Sequence, residues 1–164
     1  GRQLNEIADD WLFDPAGAST AQFYERRSDG FAPVGLFARA GDLTAIGQMV
    51  IDRMQPGLPD VWFDESLTTS QPYNGAYGFL WWLRGKDSYL LPGRALVERP
   101  GPLVPSAPSH MVAALGKDDQ KLYLVVELGL AVARLGGKAV AASQPAQSSF
   151  DDDLWKLLSR LRPA

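Results

Sequence analysis

The stretch Met111-Val-Ala-Ala-Leu-Gly-Lys-Asp-Asp-Gln-Lys-Leu-Tyr-Leu-Val-Val-Glu-Leu-Gly-Leu-Ala-Val-Ala-Arg-Leu135 decides the fold. Three short apolar runs are separated by two polar or glycine-bearing breaks. Runs of this length, rich in Val and Leu, read as strands over about 111–116, 121–127 and 130–135. Glu127-Leu128-Gly129 between the last two is a hairpin connection. Strands this close in sequence pair antiparallel, and the chain is expected to be α+β rather than a βαβ alternation.

Working outward, Gly136-Gly137 closes the third run, and a polar Ala/Ser/Gln/Pro stretch leads to a predicted helix over about 150–162. Leu154, Leu157, Leu158 and Leu161 recur at i, i+3, i+4 and i+7. Asp151, Asp152 and Asp153 stand at its positive end, and Arg160 and Arg162 at its negative end. Covering one sheet face with this helix completes a two-layer unit. Upstream, Tyr77-Gly-Phe-Leu-Trp-Trp-Leu83 reads as a buried aromatic strand over about 77–84. Its two tryptophans should face opposite ways, one into the core and one available to line a pocket. Two helices precede it. Leu4, Ile7, Ala8, Trp11 and Leu12 mark one over about 2–13, stopped by Asp14-Pro15-Ala16-Gly17. Leu43, Ile46, Val50 and Met54 mark another over about 42–55, opened by Asp42 and ended by Pro56-Gly57. Residues 18–33 and 92–108 read as loops.

Composition narrows the classes. A length of 164 residues suits one domain or a large part of one, and 46% hydrophobic with 21% charged residues is ordinary for a globular chain. The net charge of −3, without a basic block, argues against a nucleic-acid partner. No cysteine is present, which excludes disulfides and thiolate metal sites. No run of about 18 apolar residues exists to span a membrane, and the first residues do not read as a signal peptide. The single histidine, His110, follows Pro108-Ser109 and reads as a loop or packing residue. The aspartate triplet at 151–153 suits a helix start and needs no metal. No cofactor is expected.

Five segments, in order, resemble the β-lactamase-like and penicillin-binding-protein-like serine hydrolases. They are Trp11-Leu-Phe-Asp-Pro-Ala-Gly-Ala18, Pro33-Val-Gly-Leu-Phe-Ala-Arg-Ala-Gly-Asp-Leu-Thr-Ala-Ile-Gly-Gln-Met-Val50, Tyr77-Gly-Phe-Leu-Trp-Trp82, Ala114-Leu-Gly-Lys-Asp-Asp-Gln120 with its two following strands, and Phe150-Asp-Asp-Asp-Leu-Trp155. Gln120, which follows the family's third motif, is similar to the esterase and 6-aminohexanoate-dimer hydrolase branch. The resemblance implies a partial β-lactamase/transpeptidase-like fold spanning residues 1–164, the C-terminal portion of the domain. It implies hydrolysis of an ester or amide through an acyl-enzyme, and a periplasmic or secreted location. The family's Ser-x-x-Lys and Tyr-x-Asn motifs, which supply nucleophile and proton shuttle, are absent from this sequence. In the family they lie upstream of the segment matching residues 12–17.

What remains by resemblance is the oxyanion strand. Ala114-Leu115-Gly116 fills the position of the family's Lys-Thr-Gly-like tripeptide, and Lys117 supplies the backbone N–H toward the oxyanion. Ala114, Leu115 and Val34 border the substrate. A non-basic Ala114 speaks against recognising a β-lactam carboxylate. Asp119 stands where relatives often carry Gly, and its carboxylate must point away from any oxyanion. A second alignment puts Lys117 itself in the basic position. Read without the resemblance, Lys117-Asp118-Asp119 is a solvated turn. The sheet is expected to lack a partner strand at one edge. Dimerisation, or association with an N-terminal portion, would cover it. A non-catalytic binding domain is the alternative to a completed hydrolase.

Overall fold

The computed structural model describes residues 1–25, 34–55, 57–92, 96–140 and 147–161. The chain is α+β, with antiparallel sheets and a C-terminal helix packed on the largest of them. The first helical body runs through α1 (Leu4–Ala8), a π-turn (Asp9–Phe13) and α2 (Asp14–Ala16). Strands β1 (Gln22–Glu25) and β2 (Val34–Phe37) form a hairpin of their own. Helices α3 (Ala40–Ile51) and α4 (Asp60–Ser66) follow. Strand β3 (Trp82–Leu83) precedes a second separate hairpin of β4 (Ser88–Leu90) and β5 (Glu98–Pro100). Then come β6 (Val112–Leu115), β7 (Lys121–Val125), β8 (Leu130–Arg134) and α5 (Ser149–Leu158).

The central sheet has the order β3-β6-β7-β8, antiparallel throughout. Alternation along β7 sorts its side chains onto two faces. Leu122 and Leu124 pack with Leu83, Val112, Ala131 and Ala133 beneath α3. Gly47 lets that helix come close, since a Cβ there would lie 2.8 Å from Leu124 Cδ2 and 3.1 Å from Ala131 Cβ. On the other face Tyr123 and Val125 join Trp82, Met111, Ala113 and Trp155. Trp155 of α5 meets the Tyr123 ring edge-on at 5.7 Å. The sheet is thus covered on both faces, one more than the two-layer expectation. Trp81 and Trp82 do diverge, Trp81 toward the α3 side and Trp82 toward the α5 side.

Several expectations need correction. The N-terminal helix does not stop at Asp14-Pro15. The π-turn sends the Asp14 N–H to Asp9 O, and Pro15 sits in the first turn of α2, where a missing N–H costs little. Gly17, at φ +72°, ends the body. The buried face is Ala8 and Phe13 with Leu12 and Ala16 beside them, whereas Leu4, Ile7 and Trp11 are exposed. Helix α3 ends at Ile51, ahead of Pro56, which lies outside the described residues, and Met54 is exposed. The aromatic strand shrinks to two residues. Tyr77 bridges Trp82 and Leu80 takes φ +64°, so the segment folds back on itself. The segments read as loops contain β1 and β5, because each finds its partner strand, β2 or β4, in the neighbouring segment. Helix α4 was not expected at all. The C-terminal helix starts at Ser149 and passes at Ser159–Leu161 into a 3-10 turn, with Arg162 outside the described residues.

Candidate functional site at the end of strand β6

The β6–β7 connection carries the residues singled out by the sequence. Paired residues of an antiparallel ladder alternate between turning their N–H and C=O toward the partner strand and away from it. The Gly116 N–H donates to Gln120 O at 2.7 Å, so Gly116 turns inward and closes the hairpin. On the opposite edge Met111 O accepts from the Arg84 N–H at 3.1 Å, and Ala113 stands opposite Trp82. The odd-numbered residues of β6 therefore turn their backbone toward β3. Pairing with β3 ends at the Trp82–Ala113 step. Leu115 accordingly presents its amide to an edge that no strand covers among the described residues. Gly116 keeps an extended backbone (φ −95°, ψ 171°), which carries the alternation one residue further, to the Lys117 N–H.

The turn that holds this amide is fastened from three sides. Asp118 and Asp119 both take left-handed φ, 56° and 61°. This is uncommon outside glycine, though Asp tolerates it better than most residues. From β8, Arg134 Nη1 donates to Asp119 O at 2.9 Å and to Asp118 O at 3.2 Å. The Gln120 side chain donates to Gly136 O and accepts from the Gly136 N–H at 3.0 Å. A Cβ at Gly116 would sit 3.1 Å from Gln120 Cβ, tight enough to push the hairpin apart.

Asp119 answers the question raised by its charge. It is buried and points away from the open edge. Its carboxylate accepts from Ser148 Oγ at 2.7 Å and from the Ala139 N–H at 2.9 Å, and lies 3.5 Å from Lys121 Nζ. Burial alone would raise this carboxyl; the Ser148 hydroxyl, the Ala139 amide and Lys121 together hold it below its ordinary range. Lys121 in turn lies 3.2 Å from Asp151, which accepts from Tyr123 Oη at 2.6 Å and from the Ser148 N–H at 2.8 Å. Burial first, and the Asp151 carboxylate second, push the Tyr123 phenol far above its usual value, so it stays a donor. The reading of 117–119 as a solvated turn holds for exposed Lys117 only.

The other candidates are spread out. Ala114 packs on the α3 side and Leu115 on the α5 side, so each side chain is engaged in packing. Val34 begins β2 in a different two-stranded sheet, and its side chain lies outside the described residues. His110 is exposed, 3.6 Å from Glu127, in a cleft of about 400 Å³ at the far end of β6. There Arg53 is paired with Asp64 at 2.5 Å, and Arg84 donates to Pro105 O at 2.6 Å. The acidic residues of α5 are engaged as a cap and in ion pairs. Ser148 and Asp151 form a capping box, and Asp152 pairs with Lys156 at 2.8 Å. The sequence reading missed the buried Lys121–Asp151–Asp119 cluster. Its signal was a lysine in phase with Tyr123 and Val125 in a strand buried on both faces.

No family model matches the chain, and no curated protein or solved structure is significantly similar to it. No helix of the described residues is long and apolar enough to cross a membrane.

Proposed function

We propose that this chain forms the oxyanion half of a β-lactamase-like serine hydrolase acting on an ester or amide, whose nucleophile is supplied by polypeptide other than these 164 residues. The reading rests on the Lys117 amide, which strand alternation through the extended Gly116 directs to the uncovered end of β6. A fixed N–H aimed at a developing oxyanion stabilises it without reorganisation, and losing one such donor costs about 10²–10³ in kcat. Arg134 and Gln120 support that fixed geometry from β8 and beyond. The inward turn of Asp119 takes its carboxylate away from that edge.

The test compares two variants of the chain joined to the polypeptide carrying Ser-x-x-Lys. Lys117→Pro removes the amide hydrogen and should slow labelling by a fluorophosphonate probe by about 10²–10³. Lys117→Ala keeps the amide and should label like the parent. Equal rates for all three would refute the oxyanion role. The 164-residue chain by itself should not be labelled.

The same reading covers the expected partner. Strand β8 pairs with β7 on one side and is an edge on the other among the described residues. Beside it lies an apolar cleft of about 460 Å³ lined by Leu128, Leu130, Trp155, Leu158 and Leu161. Leu128, Leu157 and Leu161 are more than half exposed. An edge of this kind invites a further strand. In analytical ultracentrifugation the isolated chain should dimerise as its concentration rises, and addition of the N-terminal portion should displace the dimer. A monomer at millimolar concentration would count against it.

A further inference from the structure

A second feature of β3 bears on what the open edge of β6 takes. The reversal from Tyr77 to Trp82 builds one wall of a cleft of about 320 Å³, completed by Tyr73, Leu90, Leu91 and Leu96. Its floor is rigid. Tyr77 meets the Trp82 ring edge-on at 4.9 Å, and Trp82 and Leu91 are each about 5% exposed. Asn74 at the rim is held in place: its amide donates to Leu90 O at 2.9 Å, and its carbonyl accepts from the Ala76 N–H at 3.2 Å and the Leu90 N–H at 3.3 Å. Tyr77 Oη, by contrast, makes no hydrogen bond with any described residue. Burial raises the Tyr77 phenol, so near neutral pH it carries a proton to donate.

We propose that this cleft binds the apolar, ring-sized part of a small molecule whose adjacent carbonyl oxygen accepts a hydrogen bond from Tyr77 Oη. The volume lies at the small end of ligand pockets. It is about twice the roughly 150 Å³ cavity that holds benzene in an engineered protein core, which leaves room for a ring and a short chain. The aromatic walls offer edge and face contacts to a ring, and the Tyr77 hydroxyl orients it. Trp82, which walls the cleft, pairs with Ala113, two residues before Leu115 at the uncovered end of β6. That the bound group is the apolar part of an ester or amide substrate rests on the preceding reading of β6. The binding itself does not.

The experiment is a titration of the isotope-labelled 164-residue chain with butyranilide, and separately with toluene, followed by NMR. Butyranilide should give saturable shifts at Tyr73, Asn74, Leu91 and the Trp82 indole. Tyr77→Phe keeps the ring contact with Trp82 and should weaken butyranilide about five-fold while leaving toluene unchanged, the effect of one lost hydrogen bond. Leu96→Asp, at a position 74% exposed and so without consequence for folding, should weaken both probes. Shifts that map to another surface, an absence of saturable shifts, or a Tyr77→Phe chain that binds butyranilide like the parent would overturn the assignment. Because the titration needs no nucleophile, its failure is distinguishable from a failure of the labelling test.

Discussion

Replacing Asp151 with alanine should lower the unfolding free energy by about 3 kcal/mol, the low end of the cost of breaking a buried ion pair, because Lys121 keeps Asp119 at 3.5 Å. Asp151 is fully buried and lies 3.2 Å from the ammonium of Lys121, which is 1% exposed. The same carboxylate accepts from Tyr123 Oη and from the Ser148 N–H, so its removal also strands a phenol and opens the cap of α5. In a chain of this length the loss corresponds to a melting temperature lower by about 10 °C. Urea unfolding followed by tryptophan fluorescence measures it, since Trp155 sits on Tyr123. Exchanging Lys121 for Met in the same chain should restore part of the loss, because the buried ammonium that has lost one of its carboxylates is then gone. The cluster also sets an acid limit. Asp119 titrates below its ordinary value in the folded chain. Its contribution is complete above the unfolded carboxylate range, near pH 4, and fades as pH falls through the depressed folded value. A loss below 1 kcal/mol for Asp151→Ala would mean that water reaches Lys121 and that the cluster does not bind α5 to the sheet.

Gly78→Ala should be the second severe change, costing about 3 kcal/mol. A Cβ at this position would lie 2.3 Å from Ser66 O and 2.7 Å from Thr68 O. Both obstacles are backbone carbonyls at the end of α4, and neither can rotate aside. Ser66 O already accepts from the Phe79 N–H at 3.0 Å, and the Gly78 N–H donates to Trp81 O at 2.8 Å. Relief therefore requires the reversal that carries Trp81 and Trp82 to move away from α4, which pulls β3 from β6. Gly75→Ala is the control, since nothing lies within 4 Å of a Cβ there. Its effect should stay within about 0.5 kcal/mol. Thermal unfolding of the two variants side by side decides the matter, and equal midpoints would refute the close approach.

The two predictions mark where local and long-range information part. Strands β6, β7 and β8 were legible because each is a short apolar run closed by turn-forming residues, and neighbours in sequence paired as neighbours in the sheet. Helix α5 was legible from its leucine spacing and its acidic first turn. The strands of the two outlying hairpins were not, since Gln22–Glu25 and Glu98–Pro100 carry little alternation and become strands only against their partners. On the first helix a π-turn shifts the phase beyond Ala8, which puts Phe13 rather than Trp11 on the buried face, while Leu4 and Ile7 in the regular turn before it are exposed as well. The periodicity of Leu4, Ile7 and Trp11 assumes 3.6 residues per turn throughout. At the candidate site, the choice of Gly116 and Lys117 came from the pattern around them. Which of their amides faces outward did not, because it depends on where pairing with β3 stops.

Hydrophobic spacing and turn chemistry alone determined that this chain is α+β, with a C-terminal antiparallel meander and a closing helix, since both act within a few residues. Only the tertiary structure decided that Lys121 is an interior charge, that Asp119 turns away from the open edge, and that Tyr77 and Trp82 wall a cleft. Those outcomes depend on groups up to 30 positions apart in the chain coming within a few ångströms, and no local pattern encodes which partner a buried charge or a hydroxyl will meet.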